Sequence, residues 1–132
     1  MNAGLDTSVV LRLLTGMPEE LAQCALAEVQ RRIAHGDTLA VSDLVVAEVY
    51  FALQHHYGMR KAEALELLLG FLRERGIKTL GAALAVLATP NLAAANPGFV
   101  DRLIHAEYQR YAGEMLTFEK AACRLPGARV LA

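Results

Sequence analysis

Apolar residues recur along this chain with two spacings, one typical of amphipathic helices and one typical of short buried strands. Spacings of three and four residues predict long helices over residues 18–35, 43–57, 60–75 and 96–111. Shorter helical segments are expected at 9–14, 82–88 and 119–123. Brief apolar runs between Gly, Asp, Ser and Thr residues predict strands at 3–5, 38–41, 77–80, 114–118 and 128–131.

The order of these elements predicts an α/β fold. Short strands that alternate with helices indicate crossover connections and a parallel sheet covered on both faces. We therefore expect a three-layer α/β/α sandwich with a central, mainly parallel sheet of about five short strands. A length of 132 residues suits one domain, so we expect a single domain over residues 1–132.

Two helix starts carry local signals. Thr7 or Ser8 is expected to be the N-cap of the first helix. Asn96 followed by Pro97 is typical of an N-cap with proline at the first helical position. The helix that follows is predicted to present one apolar side, made of Val100, Leu103, Ile104, Tyr108 and Tyr111.

Composition narrows the class of protein. With 55% hydrophobic residues the chain fits neither a disordered protein nor a coiled coil. A net charge of −1 is unlike that of proteins that simply coat nucleic acid, which carry a basic excess.

The N-terminus lacks the pattern of a signal peptide, and no apolar run reaches the length of a membrane span, so a cytoplasmic protein is expected. Cys24 and Cys123 are interpreted as small core hydrophobes.

Four acidic residues stand where such a fold places its ligands. Asp6 and Glu119 directly follow predicted strands, and ligands bind beyond the carboxyl ends of parallel strands. Asp101 lies in the first turn of its predicted helix. Glu48 lies roughly 120° from the centre of the apolar stripe of its helix, at about 100° per residue. Each acid taken alone has a plain alternative as a helix cap, a first-turn acid or a solvated side chain.

Convergence of the four acids would favour a divalent cation. Carboxylates in one pocket repel each other, and Mg²⁺ or Mn²⁺ removes that repulsion because it prefers oxygen ligands. The chemistry expected from such a site is metal-assisted hydrolysis of a phosphodiester bond. Arg12, Arg102 and Lys120 are close in sequence to the acids, and we expect some of them to contact phosphate groups of the substrate.

Four motifs carry a resemblance to a known family. They are Leu5-Asp6-Thr7-Ser8-Val9, Val45-Val46-Ala47-Glu48-Val49, Gly98-Phe99-Val100-Asp101-Arg102-Leu103-Ile104 and Leu116-Thr117-Phe118-Glu119-Lys120. In this order, and over nearly the whole chain, they resemble the motifs of PIN-domain proteins. Among these, the chain is most similar to the VapC toxins of bacterial toxin–antitoxin pairs.

The resemblance implies a Mg²⁺- or Mn²⁺-dependent endoribonuclease, paired with an antitoxin protein and commonly a homodimer. By position, Asp6, Glu48 and Asp101 match the core acids of the family. Thr7 or Ser8 matches the hydroxyl that supports the site, and Thr117 is expected as a further supporting residue. Glu119 stands where the family usually has Asp, and the additional methylene adds roughly 1.5 Å of reach. Direct metal contact and contact through water both stay open for Glu119.

Two other classes of function remain open on the sequence. The chain is alternatively a PIN-like binding module with weak or no turnover, acting through RNA or protein contacts; Glu119 and the near-neutral charge favour this reading. A phosphohydrolase with Asp6 as nucleophile is a third hypothesis. It is weaker because such enzymes carry a second acid two residues later, where this chain has Ser8.

Overall fold

The structure is a computed structural model that describes residues 2–132. Within that range it contains five β-strands: β1 Ala3–Gly4, β2 Leu39–Val41, β3 Ile77–Thr79, β4 Met115–Thr117 and β5 Ala128–Val130. The α-helices in the same range are α1 Thr7–Thr15, α2 Glu19–Ala34, α3 Asp43–His55, α4 Lys61–Leu72, α5 Ala83–Leu87 and α6 Phe99–Tyr111. Two 3-10 helices span Leu92–Ala94 and Lys120–Arg124.

The predicted α/β class and parallel strands are confirmed, but the strands lie in two sheets. One sheet has the order β1-β2-β3, in which Leu39 pairs with Ala3 on one side and Ile77 on the other. The second sheet pairs β4 with β5, with Met115 opposite Ala128. All three residues of β2 are buried, whereas β4 and β5 each expose their central residue. The second sheet, formed by β4 and β5, therefore lies at the periphery of the core, and we call it the satellite sheet.

The main core lies between the three-stranded sheet and helices α3 and α4. Val46, Val49 and Leu53 recur at helical spacing on α3 and are buried. On α4 the buried side chains include Leu65, Leu68 and Leu72, as their spacing predicts. Each such side chain contributes about 1.5–3 kcal/mol of hydrophobic free energy when it leaves water. This packing holds α3, and with it Glu48, in a defined position relative to the sheet.

Two predicted helix starts are wrong. Helix α1 begins at Thr7 and has Asp6 as its N-cap, so neither Thr7 nor Ser8 is the cap. Helix α6 begins at Phe99 with Gly98 as its N-cap, two residues after the predicted N-cap at Asn96 and first helical position at Pro97. The rings of Pro97 and Phe99 are both buried, so the chain before the helix packs into the core instead of forming its first turn.

The apolar side predicted for α6 is also only partly correct. Leu103 is buried as expected, but Ile104, Tyr108 and Tyr111 are exposed. The helix instead buries Phe99 and His105 together with Leu103.

Cys24 and Cys123 are free thiols and both are exposed, so their interpretation as core residues is wrong.

An unpredicted contact joins the carboxyl ends of β2 and β3. Asp43, just after β2, accepts hydrogen bonds from the backbone N–H groups of Ala82 (2.9 Å) and Ala83 (3.0 Å). These N–H groups begin α5 and have no partner within a helix. A Cβ added at Gly81 would lie 2.4 Å from Asp43 Oδ2, so glycine is needed for this close approach.

The C-terminal segment is held to α6 by polar contacts. Helix α6 and β4 are in contact and are joined by residues 112–114 alone. The buried His105 Nε2 and the Gln109 side-chain amide both contact the carbonyl oxygen of Pro126. Arg124 Nη1 donates to the carbonyl oxygen of Asn96 at 3.0 Å. The start of α6 and the residues after β4 therefore lie at the same end of the molecule.

No helix within residues 2–132 combines the length and apolar character needed to cross a membrane.

Candidate active site

Asp6 lies at the carboxyl end of β1, where the chain enters α1. Its backbone has the extended conformation of an N-cap (φ −80°, ψ 163°), yet within the described residues its side chain makes no capping hydrogen bond. The alternative role of Asp6, in which its carboxylate caps the helix by a hydrogen bond, is therefore wrong. The carboxylate is exposed at the edge of the sheet where parallel α/β folds bind ligands.

Glu48 is joined directly to the start of α1. The Thr7 hydroxyl donates a hydrogen bond of 2.9 Å to Glu48 Oε1, across 41 residues of chain. Glu48 is exposed, although its neighbours Val46 and Val49 are buried, so it lies at the margin of the core as its helical position predicts. Since Asp6 precedes Thr7, the bond brings Glu48 to the helix end at which Asp6 is placed.

Ser8 and Arg12 lie on another side of α1. Both line a groove of about 440 Å³ between α1 and α2. Arg12 follows Thr7 by five residues, which is about 140° around the helix. Its Nε is buried and has no hydrogen-bond partner in the part of the chain that the structure describes. Thr7 is thus the hydroxyl that supports Glu48, and the position of Arg12 lends no support to a contact with RNA near the acids.

Asp101 is exposed in the first turn of α6, as predicted. The preceding Phe99 packs edge-on against Tyr50 of α3, with ring centroids 5.1 Å apart and an interplanar angle of 77°. Burial raises the pKa of Tyr50, whose ring is part of the core. This aromatic contact packs the start of α6 against α3, the helix that carries Glu48.

Glu119 has a structural role in this arrangement. It is the N-cap of the 3-10 helix Lys120–Arg124, and its Oε1 accepts a long hydrogen bond of 3.5 Å from the Ala121 N–H. The Thr117 hydroxyl in turn accepts a 3.0 Å bond from the Glu119 N–H. Thr117 therefore supports the turn that carries Glu119. Both residues belong to the satellite sheet and its continuation, not to the three-stranded sheet that carries Asp6.

The four acids do not form a closed metal-binding cluster in this structure. Among residues 2–132, no three His, Cys, Asp or Glu side chains lie close enough together to hold an ion. The same described range also shows no ion pair for any of the four acids. Glu28 is a contrast, since hydrogen bonds from Arg31 and Arg32 lower its pKa to about 2. A metal site shared by Asp6, Glu48 and Asp101 stays a prediction.

Arginine side chains lie near the start of α6. Arg102 Nε donates to the Pro97 carbonyl at 2.7 Å, and Arg124 Nη1 donates to the neighbouring Asn96 carbonyl at 3.0 Å. Lys120 is exposed in the 3-10 helix between Glu119 and Arg124. Sequence reasoning singled out Arg102 and Lys120 but missed Arg124. No local sequence pattern indicates a role for Arg124, because its partner is a backbone carbonyl 28 residues earlier.

The oxygen atoms of Asp6 and Glu48 suit a hard divalent ion. Mg²⁺ is usually held by one or two carboxylates together with substrate phosphate, and keeps several waters, rather than by a cage of protein ligands alone. The Asp6 carboxylate is free of capping, and Thr7 engages one Glu48 oxygen and leaves the other. These residues therefore fit an open magnesium or manganese site, with Asp6 and Glu48 as its protein ligands.

Comparison with known proteins identifies the family. The PIN domain matches residues 4–128, which is nearly the whole chain and contains all four acids. No curated protein matches the chain. PIN domains are typically nucleases that use divalent metal ions and act on nucleic acid. With an α/β fold of parallel strands and a match of this extent, the chain belongs to the PIN domain family.

Proposed function

We propose that this protein is a metal-dependent endoribonuclease that hydrolyses phosphodiester bonds in RNA. The observation that carries the proposal is the 2.9 Å hydrogen bond from Thr7 to Glu48, which joins the helix start after Asp6 to a second acid on α3. Two carboxylates at one edge of a parallel sheet are a donor set suited to Mg²⁺ or Mn²⁺. The family match supports the nuclease class.

Each side chain has a distinct part in the proposed reaction. Asp6 and Glu48 hold the ion, and the Thr7 hydroxyl keeps the Glu48 carboxylate in one orientation. A bound divalent ion supplies Lewis acidity, which activates water and stabilises negative charge on phosphate oxygens. Asp101 is the third proposed acid, and the packing of Phe99 against Tyr50, which holds the start of α6 to α3, supports its inclusion. Glu119, whose carboxylate caps a 3-10 helix, is proposed to act through water.

The electrostatics of these acids support the binding of a cation. Asp6, Glu48 and Asp101 are exposed, and in the described chain no Lys, Arg or His forms an ion pair with them. RNA brings a further negative charge with every phosphate. Without a counter-ion, these acids would repel the substrate; with one, the same acids make the edge attractive to phosphate.

A cleavage assay tests the proposal. Wild-type protein should cut RNA in Mg²⁺ or Mn²⁺, and excess chelator should stop the reaction. Asp6→Asn preserves the size of the side chain but removes its charge, so cleavage should fall by more than the factor of about 100 that loss of a supporting residue can cause. Cleavage by the wild type in chelator, or by Asp6→Asn at the wild-type rate, would contradict the proposal.

The same assay separates the alternative functions. If wild type and Asp6→Asn are both inactive while the wild type still binds RNA or a protein, the chain is a PIN-like binding module. If phosphate from a phosphate ester is recovered covalently on Asp6, the chain is a phosphohydrolase with Asp6 as nucleophile. Neither result is expected.

The biological role we propose is that of the toxin in a toxin–antitoxin pair, as a homodimer controlled by an antitoxin protein. This rests on the resemblance to VapC toxins. The surface we propose for the protein partner is an open groove of about 840 Å³ between α2 and α4, lined by apolar side chains such as Leu26, Val29 and Phe71. Glu66, Glu74 and Arg75 also line it, together with Glu63, which pairs with Arg60 at 2.6 Å, so a mainly apolar partner surface would complement the groove.

The toxin role has its own test. The product of the neighbouring open reading frame should bind the protein and stop RNA cleavage, and it should relieve the growth arrest that the toxin alone causes. Size-exclusion chromatography with light scattering should give the mass of a dimer. A neighbouring product that neither binds nor inhibits would contradict the toxin role without contradicting the nuclease activity.

A further inference from the structure

We infer that Phe118 and Arg124 form a nucleotide-binding pair beside the acids, in which Arg124 binds an RNA phosphate and Phe118 stacks on the adjacent base. This inference rests on the proposed ribonuclease function and adds two substrate-binding residues to it.

The position of Arg124 is set by the loop that precedes α6. Its Nη1 donates to the Asn96 carbonyl, while Arg102 Nε donates to the Pro97 carbonyl, the next one along the chain. Two guanidinium groups are therefore held next to each other by consecutive backbone carbonyls. A carbonyl neutralises no charge, and a guanidinium has five N–H donors, so each group keeps donors for a phosphate.

These cations differ from the other arginine cluster of the chain. Arg31 and Arg32 form ion pairs with Glu28 at 2.8 and 2.9 Å, so both guanidinium groups are already paired with an acid of the protein. For Arg102, Lys120 and Arg124, the described residues contain no such pair. These three cations outnumber the exposed Asp101 and Glu119 near them, so this end of α6 keeps cations available for a polyanion.

Phe118 is exposed at the end of β4, directly before Glu119. Phe118 is 76% exposed, more than any other large hydrophobic residue within 2–132. The 3-10 helix Lys120–Arg124 rises roughly 10 Å over its five residues, so Phe118 before it and Arg124 at its end would contact nearby nucleotides of one extended strand. Exposed aromatic rings next to cations are the usual platform for unstacked bases.

The pair lies at the end of the molecule that carries the proposed acids. Arg124, at the end of the 3-10 helix that follows β4, contacts Asn96 three residues before α6 begins, and Asp101 lies in the first turn of that helix. The Arg124–Asn96 hydrogen bond joins the same two regions. A nucleotide held by Phe118 and Arg124 would place the RNA backbone next to the acids.

Binding of a short single-stranded RNA tests the inference. The measurements are made by fluorescence anisotropy in Mg²⁺ on the Asp6→Asn background, which prevents cleavage. Adding Phe118→Ala should weaken binding about 5- to 150-fold, the usual effect of removing one stacked base contact. Phe118→Trp should keep the affinity. Arg124→Gln should weaken binding and reduce the slope of log affinity against log salt by about 0.7, as expected for one lost phosphate contact on a single strand.

Two matched controls distinguish this pair from other exposed side chains. Tyr111→Ala removes an aromatic ring that is 74% exposed at the opposite end of α6. Arg75→Gln removes an exposed cation just before β3, at the opposite edge of the sheet. Both variants should bind RNA like their background.

The outcomes are separate from those of the proposed function. If Phe118→Ala and Arg124→Gln bind RNA as tightly as their background, or if the two controls weaken binding equally, the inference is wrong even when the wild type cuts RNA. Should Phe118→Ala be unfolded by circular dichroism, Phe118→Leu replaces it; loss of affinity with Leu and retention with Trp supports stacking, and equal affinity overturns it.

Discussion

The Thr7 hydroxyl and the Glu48 carboxylate are joined by a hydrogen bond of 2.9 Å, although 41 residues separate them in the chain. The bond connects the helix start that follows β1 with the exposed margin of α3. Because Asp6 is the residue before Thr7, this contact links the two segments that carry Asp6 and Glu48.

Loss of the Thr7 hydroxyl should impair the site without removing an acid. Thr7→Val keeps the shape of the side chain but donates no bond to Glu48, so Mn²⁺ affinity and RNA cleavage should each fall about 10- to 100-fold. Thr7→Ser retains the hydroxyl and should behave nearly like the wild type. Isothermal titration and a cleavage assay measure both effects, and full activity in Thr7→Val would show that the bond does not matter.

The contact of Asp43 with the start of α5 should contribute to stability. Asp43→Ala leaves the N–H groups of Ala82 and Ala83 without their acceptor, which costs about 1–3 kcal/mol in the free energy of unfolding. Gly81→Ala should cost a similar amount, about 1–3 kcal/mol, because its Cβ would collide with the Asp43 carboxylate. Urea denaturation measures both values.

A double variant and a control test that explanation. In Asp43→Ala/Gly81→Ala the collision disappears, so the combined loss should be smaller than the sum of the single losses. Gly70 lies within α4 with no atom inside 4 Å of an added Cβ, and Gly70→Ala should therefore stabilise the protein by about 0.5–1 kcal/mol. Strictly additive losses would mean that Gly81 does not act through Asp43.

The ring of Phe99 should be needed to hold the start of α6. Phe99→Ala should lower the free energy of unfolding by about 3–5 kcal/mol, because it leaves a cavity against Tyr50. Tyr50→Phe keeps the ring contact and should cost less than about 1.5 kcal/mol. A Tyr50→Phe loss as large as that of Phe99→Ala would show that the phenolic hydroxyl, not the ring contact, is the important group.

His105 should hold the satellite sheet to the rest of the protein. It is buried, and its Nε2 contacts the Pro126 carbonyl just before β5. In His105→Ala, backbone amides of β4 and β5 should exchange with deuterium about ten-fold faster, because local opening becomes easier by roughly 1.4 kcal/mol. Exchange in β2 should not change. An unchanged rate in β5 would mean that other contacts, such as that of Arg124, suffice.

The sequence predicted most of the elements because their signals are local. Helical spacing indicated Val45, Val46, Val49 and Leu53 as the apolar side of α3; the last three are buried and Val45 is half-buried. Strand pairing is a long-range property, and the apolar pattern of β4 does not reveal that this strand joins only β5. The exposure of Tyr108 on α6 was missed for the same reason, since the side a helix buries depends on which elements pack against it.

The candidate site was predictable to a similar extent. Position after a strand and position beside an apolar stripe indicated Asp6 and Glu48, and the family resemblance pointed to a hydroxyl at Thr7 or Ser8. The structure selects Thr7 as the partner of Glu48. The capping role of Glu119 and the bond from Arg124 to Asn96 depend on backbone geometry that no residue pattern specifies.

Titration of Mn²⁺ into the wild type, Asp6→Asn, Glu48→Gln and the double variant tests the central claim most directly. If both carboxylates hold one ion, each single variant should lose most of the affinity and the double variant should lose little more, because the site is already broken. Glu119→Gln should bind Mn²⁺ nearly as the wild type does. A double variant that binds Mn²⁺ with wild-type affinity would contradict the assignment of Asp6 and Glu48 as metal ligands.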